Sequence, residues 1–94
     1  MSFLKRLFGG AAKNGEAAVV GEPAEHNGFT IRATPFPQDG QYQTCGIISK
    51  EIDGTTKEHR FVRADRFPSA DLAAEHAVRK GRQIIDEQGE TIFG

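Results

Sequence analysis

The alternation of apolar and polar residues predicts three β-strands in the middle of the chain. The first is Phe29–Thr34, where odd-numbered positions are apolar and even-numbered positions are polar, as in a half-buried strand. The second runs from about residue 41 to 52 and the third from about 55 to 64. They flank Asp53-Gly54, a pair that favours a two-residue hairpin turn. The pattern therefore indicates a three-stranded antiparallel meander.

The same turn predicts how the second and third strands pair. Pro35 and Pro37 are expected to end the first strand, because each removes a backbone donor. The predicted opposite pairs are Ile52 with Thr55, Ile48 with His59, Gly46 with Phe61, and Cys45 with Val62. One face then carries Tyr42, Ile48, Ile52 and Phe61, and the other carries Cys45, Ile47, Val62 and Ala64. Since both faces hold apolar residues, a single helix would leave one face in need of a second covering surface.

A single amphipathic helix is predicted after Pro68. Ser69 is the expected N-cap, Asp71 lies in the first turn, where a carboxylate is favoured, and Gly89 ends the helix. The apolar stripe at 100° per residue comprises Ala70, Ala73, Ala74, Ala77, Val78, Gly81, Ile84 and Ile85. The expected fold is therefore α+β, with a three-stranded antiparallel meander followed by one C-terminal amphipathic helix.

The N-terminal part of the chain has a different character. Residues 1–8 are predicted to be a short amphipathic segment, because helical spacing would place Phe3, Leu4, Leu7 and Phe8 on one side and Lys5 and Arg6 on the other. Residues 9–26 are rich in Gly, Ala and Glu and are predicted to be a flexible linker, which leaves 27–94 as the folded domain. The segment could contact an anionic membrane surface, or it could pack on the uncovered sheet face.

Composition narrows the possible partners. Twelve Lys and Arg against thirteen Asp and Glu give a formal charge of −1, so no global field attracts nucleic acid. Cys45 is the only cysteine, which rules out an intramolecular disulfide and fits a protein of the reducing cytoplasm. No apolar run approaches the roughly 18 residues needed to span a bilayer. We expect a soluble cytoplasmic protein.

The candidate contact site is a cluster of basic residues. Lys57, Arg60, Arg63 and Arg66 fall within ten residues around the third strand. Together with Arg79 and Arg82 of the helix they could recognise phosphate or carboxylate groups. The alternative interpretation is ordinary solvated charge and surface ion pairing.

Catalytic and metal chemistry find little support. His26, His59 and His76 lack the short spacing of a zinc site, and Cys45 has no second cysteine to join it. Cys45 and His59 could resemble a thiol nucleophile and its base, but no orienting Asn or Asp can be nominated. We therefore expect no metal, no cofactor and no enzymatic activity.

Four segments together resemble the HlyU-type family of small bacterial proteins. These segments are Met1–Gly10, Gly28–Ile31, Glu58–Asp65 and Ile84–Gly89. The resemblance covers nearly the whole chain and implies a transcription-related role, without implying particular catalytic or binding residues. The first hypothesis is a non-enzymatic cytoplasmic interaction or regulatory module, a homodimer or the binder of another protein. The alternative is a direct DNA-binding regulator that uses the arginine-rich strand edge.

Overall fold

A computed structural model of the protein describes residues 19–94. Five strands, β1 to β5, are followed by the helix α1 and a C-terminal 3-10 helix. Their bounds are Ala24–His26 (β1), Phe29–Ala33 (β2), Phe36–Gln38 (β3), Gln41–Ile52 (β4), Thr55–Phe67 (β5), Ala70–Gln88 (α1) and Gly89–Phe93 (3-10). The predicted amphipathic segment 1–8 and the linker residues 9–18 lie outside the described residues. β1 falls within the range that the sequence assigned to the linker.

All five strands form one antiparallel sheet with β4 at its centre. β5 pairs along one side of β4, whereas β2 and β3 share the other side, and β1 pairs with β2. The predicted α+β class, with an antiparallel sheet and one C-terminal helix, is confirmed. The predicted strand number is wrong, because the sheet has five strands and not three.

The two additional strands come from turns of the same kind as Asp53-Gly54. Asn27-Gly28 and Asp39-Gly40 are also two-residue connections, and all three pairs have positive φ at both residues, as a type I′ turn requires. Pro35 interrupts the chain between β2 and β3, but Pro37 lies inside β3 and opposes Tyr42. Proline is compatible with this position because β3 pairs on one side only within residues 19–94.

The predicted register of the β4–β5 ribbon is confirmed at all four pairs, from Ile52–Thr55 to Cys45–Val62. Beyond Cys45 the pairing shifts, because the next pair is Gln43 with Arg66. Three β5 residues, 63–65, therefore face Thr44 alone. This bulge extends the third strand to Phe67, three residues beyond its predicted end.

The helix begins and ends where its capping residues predict. The backbone N–H of Leu72 donates to Ser69 Oγ at 3.2 Å, and Gly89 has a φ of 56°. The buried helix residues are Ala73, Ala74, Ala77, Gly81, Ile84 and Ile85. A Cβ on Gly81 would lie 2.8 Å from Ile31 Cγ2, so the glycine lets α1 approach the sheet closely.

The helix covers one sheet face, and the other face is mixed. The core joins Ile31 and Ile48 to the buried stripe of α1, and Phe93 stacks on Phe29 with 6.0 Å between ring centroids. On the opposite face, by strand alternation, Cys45 is buried, whereas Val62 is 48% exposed. Arg32 and Ser49 lie on that face too and are hydrogen-bonded at 2.9 Å. The second face is therefore neither purely apolar nor purely polar.

Candidate functional site

Strand β5 carries the four basic residues nominated from the sequence. Lys57 opposes Lys50, Arg60 opposes Ile47, Arg66 opposes Gln43, and Arg63 lies in the bulge. All four are exposed. Within residues 19–94, β5 pairs with β4 alone, so the opposite edge of this 13-residue strand keeps its backbone N–H and C=O groups available.

The bulge is fixed by the side chain of Gln43. Its Nε2 donates to the backbone carbonyl of Arg63, and its Oε1 accepts from Nε of Arg66 at 2.9 Å. Gln43 is itself buried, and both bonds are part-buried. Arg66 is further engaged by Asp39, whose Oδ2 lies 3.3 Å from Nη1. Arg66 therefore stabilises the bulge of β5, and its guanidinium group is less available to bind a ligand than those of Arg60 and Arg63.

The other three cations of β5 have no such engagement. Among the described residues, Lys57, Arg60 and Arg63 form no ion pair. β5 also carries two carboxylates, Glu58 and Asp65, and Asp65 is bound by the helix. Its Oδ2 lies 2.9 Å from His76 Nε2, and the His76 ring packs on Phe67 with 5.0 Å between centroids. Within residues 19–94, the exposed charged side chains of β5 without an ion pair are therefore three cations and the single carboxylate of Glu58, which leaves the strand with a net positive charge.

The two helix arginines lie on a different surface from the arginines of β5. Arg79 and Arg82 are exposed on α1, outside the stripe that packs on the sheet. Arg60 lies on the sheet face opposite the helix, since its partner Ile47 alternates with the buried Ile48. Lys57 opposes Lys50 and therefore lies on the helix side of the sheet, so even the cations of β5 are divided between the two faces. The six nominated residues do not form one continuous basic patch.

His26 and Cys45 have separate partners. His26 Nε2 lies 2.8 Å from Asp86 Oδ1, and Cys45 Sγ accepts a hydrogen bond from Thr34 Oγ1 at 3.4 Å. Within the described part of the chain, no three His, Cys, Asp or Glu residues are grouped as a metal site would require. No helix of residues 19–94 has the length and apolar character needed to cross a membrane.

The sequence did not predict two features of the structure, one in the β5 site and one away from it. Gln43 gave no signal, because its role depends on a bulge that the alternation of β4 and β5 does not show. The second is a groove of about 330 Å³ between residues 20–22 and the first half of α1. Glu22 is far in sequence from Asp71 and Glu75, which lie one turn apart on α1, and only the packing of residues 20–22 against the helix brings the three together.

The fold and the site define a small α+β domain whose candidate contact surface is the basic edge of an antiparallel sheet. A family model described as "Transcriptional activator HlyU" matches residues 2–93, and the chain therefore belongs to the HlyU family. The family description indicates a role related to transcription. Comparison with curated proteins and with solved structures gave no match.

Proposed function

We propose that this protein is a non-enzymatic, transcription-related regulator that acts by binding an acidic protein segment along β5. The observation that carries the proposal is the unpaired state, within residues 19–94, of Lys57, Arg60 and Arg63 on an edge strand of 13 residues. An extended segment can add to such an edge through backbone hydrogen bonds, and side-chain charge then selects the partner.

The charge of β5 indicates what kind of partner fits. The strand has four cationic and two anionic side chains, a formal charge of +2, on a chain whose total is −1. Pairing two copies edge to edge along β5 would bring two +2 strands together, and like charges directly opposite each other are destabilising. An acidic segment instead places carboxylates beside Arg60 and Arg63, where charge-assisted bonds form.

The test uses a defined acidic probe, the peptide (Thr-Glu)4, titrated into the full-length protein at low salt. The NMR chemical shifts of the backbone amides of β5 should change during the titration. The double variant Arg60→Glu/Arg63→Glu should weaken binding at least tenfold. The matched control is Arg79→Glu/Arg82→Glu, which makes the same charge change on the helix and should leave binding nearly intact. Equal loss in both variants, or no shifts along β5, would refute the proposal.

Direct DNA binding is the second candidate, because the family description concerns transcription and the same arginines could contact phosphates. Some proteins read DNA with β-strands instead of a helix. A strand is the better candidate here, because the inner face of α1 is packed on the sheet. Fluorescence anisotropy with a labelled duplex, at about 50 and 200 mM salt, separates the two candidates. Steeply salt-dependent duplex binding that Arg60→Glu/Arg63→Glu abolishes, without binding of (Thr-Glu)4, would favour DNA.

A cytoplasmic location stays a prediction.

A further inference from the structure

The groove between the N-terminal chain and α1 has an apolar floor and an acidic rim. It is lined by Val20, Gly21, Glu22, Asp71, Ala74, Glu75 and Val78. One wall is held in place by the hydrogen bond from Val20 N to Ala33 O at 2.8 Å. The other wall is the first half of α1, whose Ala74 and Val78 face the space. Both walls of the groove are therefore fixed by contacts within the folded domain.

Within residues 19–94, no ion pair neutralises the negative charge of the rim. Glu22, Asp71 and Glu75 are exposed, and none of them forms an ion pair with another residue of the described part of the chain. Val19, which precedes Val20 in the sequence, is 47% exposed. Apolar surface surrounded by three carboxylates fits a ligand that is itself apolar on one side and cationic on the other.

We propose that residues 3–8 of the same chain occupy this groove. Phe3, Leu4, Leu7 and Phe8 supply apolar side chains, and Lys5 and Arg6 supply cations. The two parts of the chain have opposite net charge. Residues 1–18 have three basic and one acidic side chain, a formal charge of +2, and residues 19–94 have nine basic and twelve acidic side chains, a formal charge of −3. An apolar cavity of about 150 Å³ holds one benzene ring, so the groove of about 330 Å³ accommodates two such side chains.

The tether makes occupation within one molecule favourable. The intervening residues 9–18 lead directly to Val19 and Val20, and Val20 lines the groove. A linker of ten residues spans roughly 18 Å on average when it behaves as a random coil, a length that lets residues 3–8 reach the groove. A short flexible tether gives an effective concentration in the millimolar range, so even weak contacts suffice. A segment from a second copy would lack this advantage at micromolar protein concentration.

The experiment follows a single tryptophan in the full-length protein. The sequence has no tryptophan, so Phe8→Trp introduces one reporter into the segment. We expect an emission maximum at shorter wavelength than in the denatured protein, independent of protein concentration. Adding Glu22→Lys and Glu75→Lys should shift the emission to longer wavelength, with about a tenfold fall in the ratio of docked to free segment.

The matched control is Glu51→Lys/Glu87→Lys, which makes the same net charge change at exposed sites away from the groove and should leave the emission unchanged. Circular dichroism checks that each variant is folded, and nuclear Overhauser contacts between Leu7 and Val78 methyl groups should appear in the unmodified chain. Three results would overturn the proposal: emission typical of free tryptophan, equal effects of both charge variants, or a wavelength shift that requires high protein concentration or phosphatidylglycerol-containing vesicles. None of these variants changes β5, so the result is independent of the binding test above.

Discussion

Gly46 of β4 leaves room for the ring of Phe61, its partner on β5. A Cβ at this position would lie 2.6 Å from Cζ of Phe61 and 3.1 Å from the carbonyl oxygen of Arg32. Phe61 is only 6% exposed and belongs to the core under α1, so its ring has little freedom to move aside. The glycine of β4 is therefore the space into which the aromatic side chain of β5 fits.

Gly46→Ala should consequently lower the free energy of unfolding by about 2 kcal/mol, as overpacking of a dense core usually does. Urea denaturation followed by circular dichroism measures the change. Adding Phe61→Leu, which removes the ring atoms nearest to the new methyl group, should recover part of the loss. If the two changes were simply additive, steric overlap with the ring would not be the cause.

Thr44 provides a second prediction at this scale. Its side chain is fully buried, and its Oγ1 has no hydrogen-bond partner among the described residues. Since an unpaired buried hydroxyl is costly, Thr44→Val should raise the free energy of unfolding by about 1 kcal/mol. Thr34→Val is the matched control, because the Thr34 hydroxyl donates to Cys45 Sγ and its removal should give no gain. Both are measured by urea unfolding, and a gain in the control alone would contradict the account.

At the scale of elements, the bulge in β5 depends on one side chain of β4. Gln43 bonds both the Arg63 carbonyl and the Arg66 guanidinium. Gln43→Leu should leave that carbonyl unpaired, with a loss of about 2 kcal/mol in the free energy of unfolding. Amide hydrogen exchange should become faster at residues 63–66 and stay unchanged near the Asp53-Gly54 turn.

The control for this prediction is Gln41→Leu, which changes an exposed glutamine two residues earlier on the same strand. It should alter the free energy of unfolding by less than about 0.5 kcal/mol. Comparable losses in both variants would show that the bulge does not depend on the bonds of Gln43.

The elements that the sequence predicted correctly are those specified by local chemistry. Asp53-Gly54 fixed the β4–β5 register, and Ser69 and Gly89 bounded the helix. The missing parts depend on non-local contacts. β3 forms because the Asp39-Gly40 turn folds Phe36–Gln38 back on β4, whereas Pro37 by itself predicts the end of a strand. The basic residues of β5 were identified by type, but their separation from Arg79 and Arg82 follows from two-layer packing, which residue spacing does not reveal.

For the whole molecule, the homodimer stays a prediction, and the open sheet face is the surface on which we test it. Val62 is 48% exposed on the sheet face away from the helix. Leu72 is 46% exposed on the helix and provides a matched apolar residue on another surface. If two copies cover each other's open sheet face, Val62→Lys should convert a dimer into a monomer in sedimentation velocity at about 100 μM, a common range for weak association. Leu72→Lys should leave the dimer intact. A wild-type protein that is monomeric throughout would contradict this prediction.

The central position of β4 has a consequence for the order of folding. β2, β3 and β5 all pair directly with it, and strands joined by two-residue turns close the shortest loops. We expect the β4–β5 ribbon to be structured early in the transition state, with β1 and the C-terminal 3-10 helix joining last. Substitutions in the ribbon should then slow refolding, whereas those at either end of the domain should mainly accelerate unfolding.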